Sequence, residues 1–361
     1  MGNKSVVTRK DKQVLSIILN RKDVINSLDV EMIRLIQRAL DEAEASSGIS
    51  LVLLRGDGDK GFCAGGDVKA LFRAVRQGNM KSAMEFFKEE YELDHRIYSF
   101  SKPVIVLADG ITMGGGLGLA AGADMVVATE KTMMAMPETR IGFFPDVGAT
   151  GWMFSKCPPG YPEFLGLTGY RLEGPECLRI GLASHLVQQK QVPGFLQDLE
   201  ALSENLAGER DVAARKLYSA FSSLKGKNDL SGHGMDEWVR TCFQGKRSVE
   251  KILSSVSGCS LQKELCGKAV KLLSEASPTA LVLTLSLLRR NEGKPIEEVY
   301  KTDLRAARFI IGHPDYPEGI RARLVDRDNH PAWQPDSIEK VRLAPLPVKN
   351  TASRAALATR S

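Results

Sequence analysis

Residues 103–122 decide the fold class of this chain: Pro-Val-Ile-Val-Leu-Ala-Asp-Gly-Ile-Thr-Met-Gly-Gly-Gly-Leu-Gly-Leu-Ala-Ala-Gly. The run from Pro103 to Leu107 is apolar and β-branched, which predicts a buried strand. A glycine-rich loop over residues 110–116 follows, and residues 117–122 predict the start of a helix. Strand, loop and helix in this order indicate an α/β unit whose strand pairs in parallel with its neighbours.

The same order occurs twice nearer the N-terminus. Residues 14–20 predict a strand, and residues 28–46 predict a helix because their apolar side chains recur with helical spacing. Residues 51–54 predict a second strand, which a loop at Gly65-Gly66 and a helix from about Val68 follow. Three repeats predict an α/β core with largely parallel pairing.

Composition divides the chain into three regions. Residues 1–190 hold the repeats and are predicted to form one catalytic core. Residues 191–345 are dominated by helical signals and are predicted to be an α-helical extension that covers the active site or serves assembly. Residues 346–361 have few large apolar side chains, so we expect a disordered tail.

The composition excludes several classes of function. The 49 Lys and Arg residues exceed the 44 Asp and Glu residues by only five, and this dispersed charge does not predict binding to nucleic acid. Six cysteines without a C-x-x-C pair favour reduced thiols in an intracellular protein. No apolar run approaches the roughly 18 residues of a membrane helix. We therefore expect an intracellular soluble protein without a readable targeting signal or a membrane partner, in the mitochondrial matrix of a eukaryote or the cytoplasm of a bacterium.

Two glycine-rich loops, Cys63 to Asp67 and Thr112 to Gly118, are candidates for ligand contact. Each follows a predicted strand and opens a predicted helix, where unpaired N–H groups and the helix dipole favour negative charge. Together they could form an oxyanion hole for a thioester or an ester. Gly66 and Gly115 stand centrally in the loops and are the candidate donors.

Two other interpretations of the loops stay open. The glycines could merely permit tight turns. The second loop also resembles a dinucleotide-binding fingerprint through Gly116, Gly118 and Gly122, although the third glycine comes one residue late and the motif normally opens the first βαβ unit.

Two carboxylates stand eight residues apart in an apolar, turn-rich stretch. Glu138 follows Pro137 among apolar neighbours, which should raise its pKa and suit a general base or a nucleophile. It could equally be a structural partner of Arg140 or of a backbone amide. Asp146 is either a second functional acid or the N-cap of the next helix. The five scattered histidines predict neither a hydrolase triad nor a metal site.

Several linked motifs resemble the crotonase superfamily and, within it, its 3-hydroxyisobutyryl-CoA hydrolases. In chain order these motifs are Asn20-Arg21 with Asn26-Ser27-Leu28, Gly61-Phe62-Cys63-Ala64-Gly65-Gly66-Asp67, Gly110-Ile111-Thr112-Met113-Gly114-Gly115-Gly116, Met136-Pro137-Glu138-Thr139 with Phe144-Pro145-Asp146-Val147-Gly148, Leu167-Thr168-Gly169-Tyr170-Arg171-Leu172, and Glu318-Gly319-Ile320-Arg321-Ala322 with Asp326-Arg327-Asp328. The resemblance covers roughly residues 14–335.

The resemblance implies a spiral of ββα units that binds an acyl-CoA. It assigns Gly66 and Gly115 as the oxyanion donors and Glu138 as the principal catalytic carboxylate. It places Asp146 and Glu90 in the acyl pocket, whereas from the residues alone Glu90 is predicted to lie on the charged face of a solvated helix. Coenzyme A would be part of the substrate, so no further cofactor is expected, and the protein could be a homo-oligomer.

One position discriminates within the superfamily. Enoyl-CoA hydratases place a second glutamate three residues after the central glycine of the G-G-G loop, where this chain has Gly118. Thioester hydrolysis needs only one well-placed carboxylate, so hydrolysis is favoured. The alternatives are a hydratase or isomerase on the same fold and a non-catalytic ribosome-associated relative.

Three basic residues carry further expectations. Lys22 and Lys69 are candidates for contact with the coenzyme A phosphates. Arg140 stands where the superfamily is expected to have a small residue, so it could alter the acyl preference or tune Glu138.

Overall fold

The computed structural model describes residues 4–206, 208–224 and 234–343. The strands in these ranges form two sheets. They are β1 (Val6–Asp11), β2 (Val14–Leu19), β3 (Leu51–Gly56), β4 (Gly61–Cys63), β5 (Val104–Ala108), β6 (Ile111–Met113), β7 (Met125–Ala128), β8 (Met133–Ala135), β9 (Leu172–Glu173) and β10 (His185–Leu186).

The helices surround these sheets and make up most of the C-terminal half. They are α1 (Val30–Ala45), α2 (Val68–Arg76), α3 (Met80–Tyr98), α4 (Gly115–Ala121), α5 (Ala149–Lys156), α6 (Tyr161–Thr168), α7 (Gly174–Arg179), α8 (Val192–Ser203), α9 (Arg210–Ala220), α10 (Gly234–Cys242), α11 (Val249–Gly258), α12 (Lys263–Ser274), α13 (Pro278–Asn291), α14 (Ile296–Ile310) and α15 (Asp315–Ile320). A 3₁₀ turn (Glu138–Ile141) and a π-helical turn (Arg321–Val325) lie outside this series.

The larger sheet has the order β1-β2-β3-β5-β7-β10, and only its β1–β2 pair is antiparallel. The smaller sheet has the order β4-β6-β8-β9, with β8–β9 antiparallel. The α/β fold with largely parallel pairing is therefore confirmed. The larger sheet is buried on both faces: alternate side chains of β3 and β5 enter the main core, and the others pack against α8 and α9.

The chain builds this architecture from successive ββα units: β3-β4-α2, β5-β6-α4 and β7-β8-α5. In each unit the first strand joins the larger sheet and the second strand joins the smaller one. The spiral of ββα units is thus present. Between β5 and β6 the turn requires Gly110, which has a φ of +75° and whose Cβ would lie 2.7 Å from the carbonyl oxygen of Lys60.

Two predicted segments differ in detail from the structure. Residues 110–116 are predicted to be a loop, but they contain β6 and the first residues of α4, because a short strand flanked by glycines gives little periodic signal. The predicted helix 28–46 begins at Val30, since the side chain of Asp29 caps it by accepting from the amide of Met32 at 2.8 Å.

The helical region folds back onto the core. Helix α14 packs against α3, and α15 packs against α2 and against the turn Glu138–Ile141. In the described ranges no single helix is long and apolar enough to span a membrane; α12 and α13 meet that test only as a pair, bent by 109°. The predicted tail, residues 346–361, lies outside the described residues.

Candidate active site

One cavity of about 390 Å³ holds all five predicted site residues. Its lining includes Gly66, Gly115, Glu90, Glu138 and Asp146. These residues come from two glycine loops, from α3 and from the segment between β8 and α5. Aromatic rings complete the inner wall, at Phe86, Phe87, Phe143 and Tyr316.

The first glycine loop is fixed by a backbone bridge to Leu28. The amide of Leu28 donates to the carbonyl of Gly65 at 2.8 Å, and the amide of Asp67 donates to the carbonyl of Leu28 at 2.7 Å. This pattern uses the carbonyl before Gly66 and the N–H after it, whereas the N–H of Gly66 itself donates to no backbone acceptor in the described part of the chain. A Cβ on Gly66 would lie 2.8 Å from Cζ of Phe86, so any larger residue would require the Phe86 ring to move.

The fully buried side chain of Asn26 holds the base of this loop. Its Oδ1 accepts from the amide of Arg21 at 2.9 Å, and its Nδ2 donates to the carbonyls of Gly61 and Phe62, each at 3.1 Å. The Arg21 guanidinium also donates to Asp67 at 3.1 Å. The Asn20-Arg21 and Asn26 motif therefore serves to position the loop.

The second glycine loop lies directly against the first. Gly114 has a φ of +50°, and α4 then begins at Gly115. The amide nitrogen of Gly115 is 3.3 Å from the position that a Cβ on Gly65 would take. A Cβ on Gly115 itself would collide with Oε1 of Glu90. Within the described ranges the Gly115 N–H donates to no backbone acceptor, so both loops present an unused donor.

Glu138 begins the 3₁₀ turn beside these loops. The turn is anchored through Thr139, whose Oγ1 donates to the carbonyl of Leu167 at 3.1 Å and whose carbonyl accepts from the amide of Ser277 at 3.0 Å. Glu138 is buried, and its Oε2 has no hydrogen-bond partner among the described residues. Arg140 does not pair with it, because the Arg140 guanidinium donates to Glu275 at 2.6 Å. Burial and the charge of Asp146 raise the pKa of Glu138 well above its usual range.

Asp146 has a tertiary partner instead of a capping role. Its Oδ2 accepts from the hydroxyl of Tyr91 at 2.7 Å, and both groups are buried. Burial raises the pKa of Asp146 to about 7, although the Tyr91 hydrogen bond opposes this shift. The N-cap interpretation is wrong: the N-cap of α5 is Gly148, which has a φ of +76° and no side chain to offer.

Glu90 is only 2% exposed, so its placement on a solvated face is wrong. One face of helix α3 is buried in the core. Its buried residues include Ala83, Phe86, Phe87, Glu90, Tyr91, Asp94 and Ile97. The spacing of the apolar members of this face is helical, and it places Glu90 on the buried side. The sequence alone therefore contained the spacing that predicts a buried Glu90. Burial raises the pKa of Glu90, and the charges of Asp146 and Asp94 add to the effect.

Asp94 is a buried acid that the sequence reasoning missed. It is fully buried, and neither of its carboxyl oxygens has a hydrogen-bond partner among the described residues. Its Oδ2 lies 2.7 Å from the position that a Cβ on Gly118 would take, and Cβ of Val147 lies at the same distance. A glutamate at position 118 would displace one or both side chains. The structure therefore has little room at this position for the second glutamate that hydratases place there.

The chain is similar to known proteins over most of its length. Residues 14–346 match the family described as enoyl-CoA hydratase/isomerase. The chain belongs to this family. It is 36% identical over 329 residues to the mitochondrial 3-hydroxyisobutyryl-CoA hydrolase of Xenopus laevis, covering 90% of this chain and 83% of that protein. It is 36% identical over 328 residues to the human enzyme of the same name, with the same coverage.

Solved structures give the same result. A carnitinyl-CoA dehydratase from Mycobacterium thermoresistibile aligns with a TM-score of 0.83 and 30% identity over 94% of each chain. An enoyl-CoA hydratase from Rhodobacter sphaeroides aligns with a TM-score of 0.81 and 29% identity, also over 94% of each chain. Membership in the enoyl-CoA hydratase/isomerase family leaves the dinucleotide interpretation of the second loop without support.

Two lysines, Lys22 and Lys69, are predicted to contact the coenzyme A phosphates. Lys22 pairs with Asp57 at 3.2 Å, and Lys69 is exposed. Neither lysine lines the cavity. The basic side chains that do line it are Arg140, Arg171 and Arg323.

Proposed function

We propose that this chain hydrolyses the thioester of 3-hydroxyisobutyryl-CoA or of a related short 3-hydroxyacyl-CoA. The observation that carries the proposal is the meeting of two unused loop amides with buried Glu138 in one cavity. The curated relatives named 3-hydroxyisobutyryl-CoA hydrolase, at 35% to 37% identity, support the choice of substrate. The relatives' name also implies a place in valine breakdown.

The carbonyl oxygen of the thioester would accept from the N–H groups of Gly66 and Gly115. Negative charge develops on that oxygen as the carbonyl carbon becomes tetrahedral, and donors about 3 Å away stabilise it. Both loops are held by backbone and buried side-chain contacts, so the donors are in place before the substrate binds. Such preorganisation lowers the barrier without a reorganisation cost.

Glu138 supplies the second part of the reaction by one of two routes. Its carboxylate attacks the carbonyl carbon, the C–S bond breaks, and water then hydrolyses the resulting anhydride. Alternatively, it takes a proton from a water molecule that attacks the carbonyl carbon directly. Both routes require the ionised form, and the raised pKa of Glu138 makes that form a stronger base and nucleophile.

Asp146 is assigned to the acyl hydroxyl and to the leaving group. It would accept a hydrogen bond from the hydroxyl and, when protonated, donate a proton to the departing thiolate. A pKa of about 7 suits proton transfer near neutral pH. Glu90 would line the acyl pocket beside Gly115. The reaction needs no cofactor beyond the coenzyme A of the substrate.

The names of the structural relatives favour hydration of an enoyl-CoA as a second candidate. Gly118 counts against it, because the second acid of that reaction is missing and Asp94 fills the adjacent space. The six cysteines are free thiols.

Glu138→Gln tests the assignment, because it keeps the shape of the side chain and removes its charge. Thiol release from 3-hydroxyisobutyryl-CoA should fall by about 10²- to 10⁴-fold or more, the range typical for a lost acid or base group. The matched control is Glu292→Gln at an exposed position. Near-normal turnover in Glu138→Gln would refute the proposal, and loss of enoyl absorbance without thiol release would favour the hydratase.

A further inference from the structure

Part of the cavity lining is cationic. Arg140, Arg171 and Arg323 line the cavity together with Asn329, in addition to the carboxyl groups and the aromatic rings already described. Arg171 and Asn329 are exposed, and Arg140 and Arg323 are partly buried. We call these four residues the rim of the cavity.

A single carboxylate pairs with two of these arginines. Oε2 of Glu275 accepts from Nη2 of Arg140 at 2.6 Å and from Nη2 of Arg323 at 3.3 Å. The pKa of Arg323 is lowered, first by burial and then by the positive charge of Arg140. Two guanidinium groups around one carboxylate leave a net positive charge at this point of the rim.

Several hydrogen-bond donors of the rim have no partner among the described residues. Nη1 of Arg140 donates to no group in the described part of the chain, and neither does any nitrogen of Arg171, which also lacks an ion pair there. The Nε atoms of Arg140 and Arg323 are buried without a partner among the described residues. A guanidinium presents its donors as a rigid fork that matches the oxygens of a carboxylate or a phosphate.

The arginines that carry these donors lie near the 3₁₀ turn that contains Glu138. Arg140 is two residues beyond Glu138 in the same 3₁₀ turn. Arg171 follows Gly169, at which a Cβ would lie 2.8 Å from Cα of Pro137. A thioester whose carbonyl is at Glu138 would therefore share its cavity with these arginines.

We propose that Arg140 and Arg171, with Arg323 behind them, form an anion subsite for an oxyanion group of the thioester substrate itself. The group is either a phosphoryl group of the coenzyme A carrier or a carboxylate on the acyl chain. Glu275 shows how an oxyanion is held there, since it already accepts from two of the three arginines. This inference rests on the proposed thioester substrate and extends it to a second recognition point.

Calorimetry tests the carrier as the source of the anion. The probes are coenzyme A, 4′-phosphopantetheine and pantetheine, titrated into the wild type, Arg140→Ala, Arg171→Ala and the double variant. Losing a charge-assisted hydrogen bond should weaken binding by about 10- to 100-fold. If the carrier supplies the anion, the variants bind the two phosphorylated probes more weakly and pantetheine unchanged.

Thiol-release kinetics test the acyl chain as the source. Glutaryl-CoA, which ends in a carboxylate, is compared with butyryl-CoA, which does not. If the acyl chain supplies the anion, the variants lose kcat/KM for glutaryl-CoA alone, through KM. If the carrier supplies it, KM rises equally for both substrates.

Arg38→Ala is the matched control, because Arg38 is exposed on α1 and outside the cavity. Arg171 is exposed and makes no hydrogen bond or ion pair among the described residues, so Arg171→Ala keeps the test valid if Arg140→Ala unfolds. Unchanged affinities and kinetics in Arg171→Ala and in a folded Arg140→Ala would overturn the subsite. A wild type that binds coenzyme A with arginine dependence but releases no thiol would refute the hydrolase and leave the subsite standing.

Discussion

At the scale of single residues, glycine marks where side chains from other elements come close. Gly115 carries no side chain because Glu90 occupies that space, and Gly118 carries none because Asp94 and Val147 occupy it. The sequence indicates that position 118 lacks an acid, which predicts the loss of the hydratase arrangement. It does not indicate that another acid, Asp94, fills the vacated space, because α3 brings that acid from a different part of the chain.

Asp94→Asn should stabilise the protein at neutral pH. Burial and the charge of Asp146 raise the pKa of Asp94 well above its usual range, so the folded state keeps a proton that the unfolded state releases. This linkage costs stability as pH rises above about 4, the pKa of an unfolded aspartate. Asparagine has nearly the same shape and no proton to keep. The free energy of unfolding, from urea titrations at pH 4 and pH 8, should favour the variant at pH 8 and show little difference at pH 4.

Asp198→Asn is the control for this comparison, because Asp198 is exposed. Its effect should stay within about 0.5 kcal/mol at both pH values. A variant Asp94→Asn that is less stable than the wild type at pH 8 would contradict a protonated Asp94.

At the scale of elements, the first glycine loop depends on contacts made far along the chain. Periodicity predicts the strand β2 and the helix α1, and it therefore also predicts that the segment between them is a connection. The hydrogen bonds of Asn26 to residues 61 and 62 cannot be predicted in this way, since a buried side chain in that connection makes them to strand β4. The loop that offers Gly66 is thus shaped by a residue in another connection.

Asn26→Ala should destabilise the protein by about 3 kcal/mol, because it leaves buried backbone groups unpaired. The affected groups are the amide of Arg21 and the carbonyls of Gly61 and Phe62. The first glycine loop would also lose the hydrogen bonds that hold the strand before it. The rate of thiol release should therefore fall by more than the smaller amount of folded protein explains. Urea unfolding measures the first effect, and kcat of the folded fraction measures the second.

Asn205→Ala at an exposed site is the matched control and should change neither quantity by a measurable amount. If Asn26→Ala keeps wild-type stability, the buried hydrogen bonds do not hold the loop as described.

At the scale of the whole molecule, the core encloses an unusual group of acids. Glu90, Asp94, Glu138, Asp146 and Asp303 are buried, and burial is the main cause of the raised pKa of each. No Lys or Arg donates to any of them among the described residues. Packing of α3 and α14 onto the core brings them together from distant segments.

The free energy of unfolding should therefore fall as pH rises from about 5 to 8. A carboxyl with a raised pKa contributes stability that is fully present below its unfolded pKa of about 4 and is lost as pH rises through its folded pKa. For Asp146 this window runs from about 4 to about 7. Each carboxyl protonated only in the folded state contributes a slope of about 1.4 kcal/mol per pH unit.

Urea unfolding at constant ionic strength across this range measures the slope. Asp94→Asn should make the slope shallower, and the exposed control Asp198→Asn should not. Stability that rises steadily from pH 5 to pH 8 would show that the buried acids are ionised in the folded protein.

The sequence by itself determined the order of strands and helices, the parallel core, the two glycine loops and the importance of Glu138. These features are local, because a few neighbouring residues are enough to define each of them. Examples are a period of two or 3.6 residues, a run of glycines and an apolar neighbourhood. Tertiary structure decided that Glu90 is buried, that Asp146 pairs with Tyr91 and that arginines form the rim. Those outcomes depend on which distant elements pack together, because a side chain's burial and partners are set by its neighbours in space.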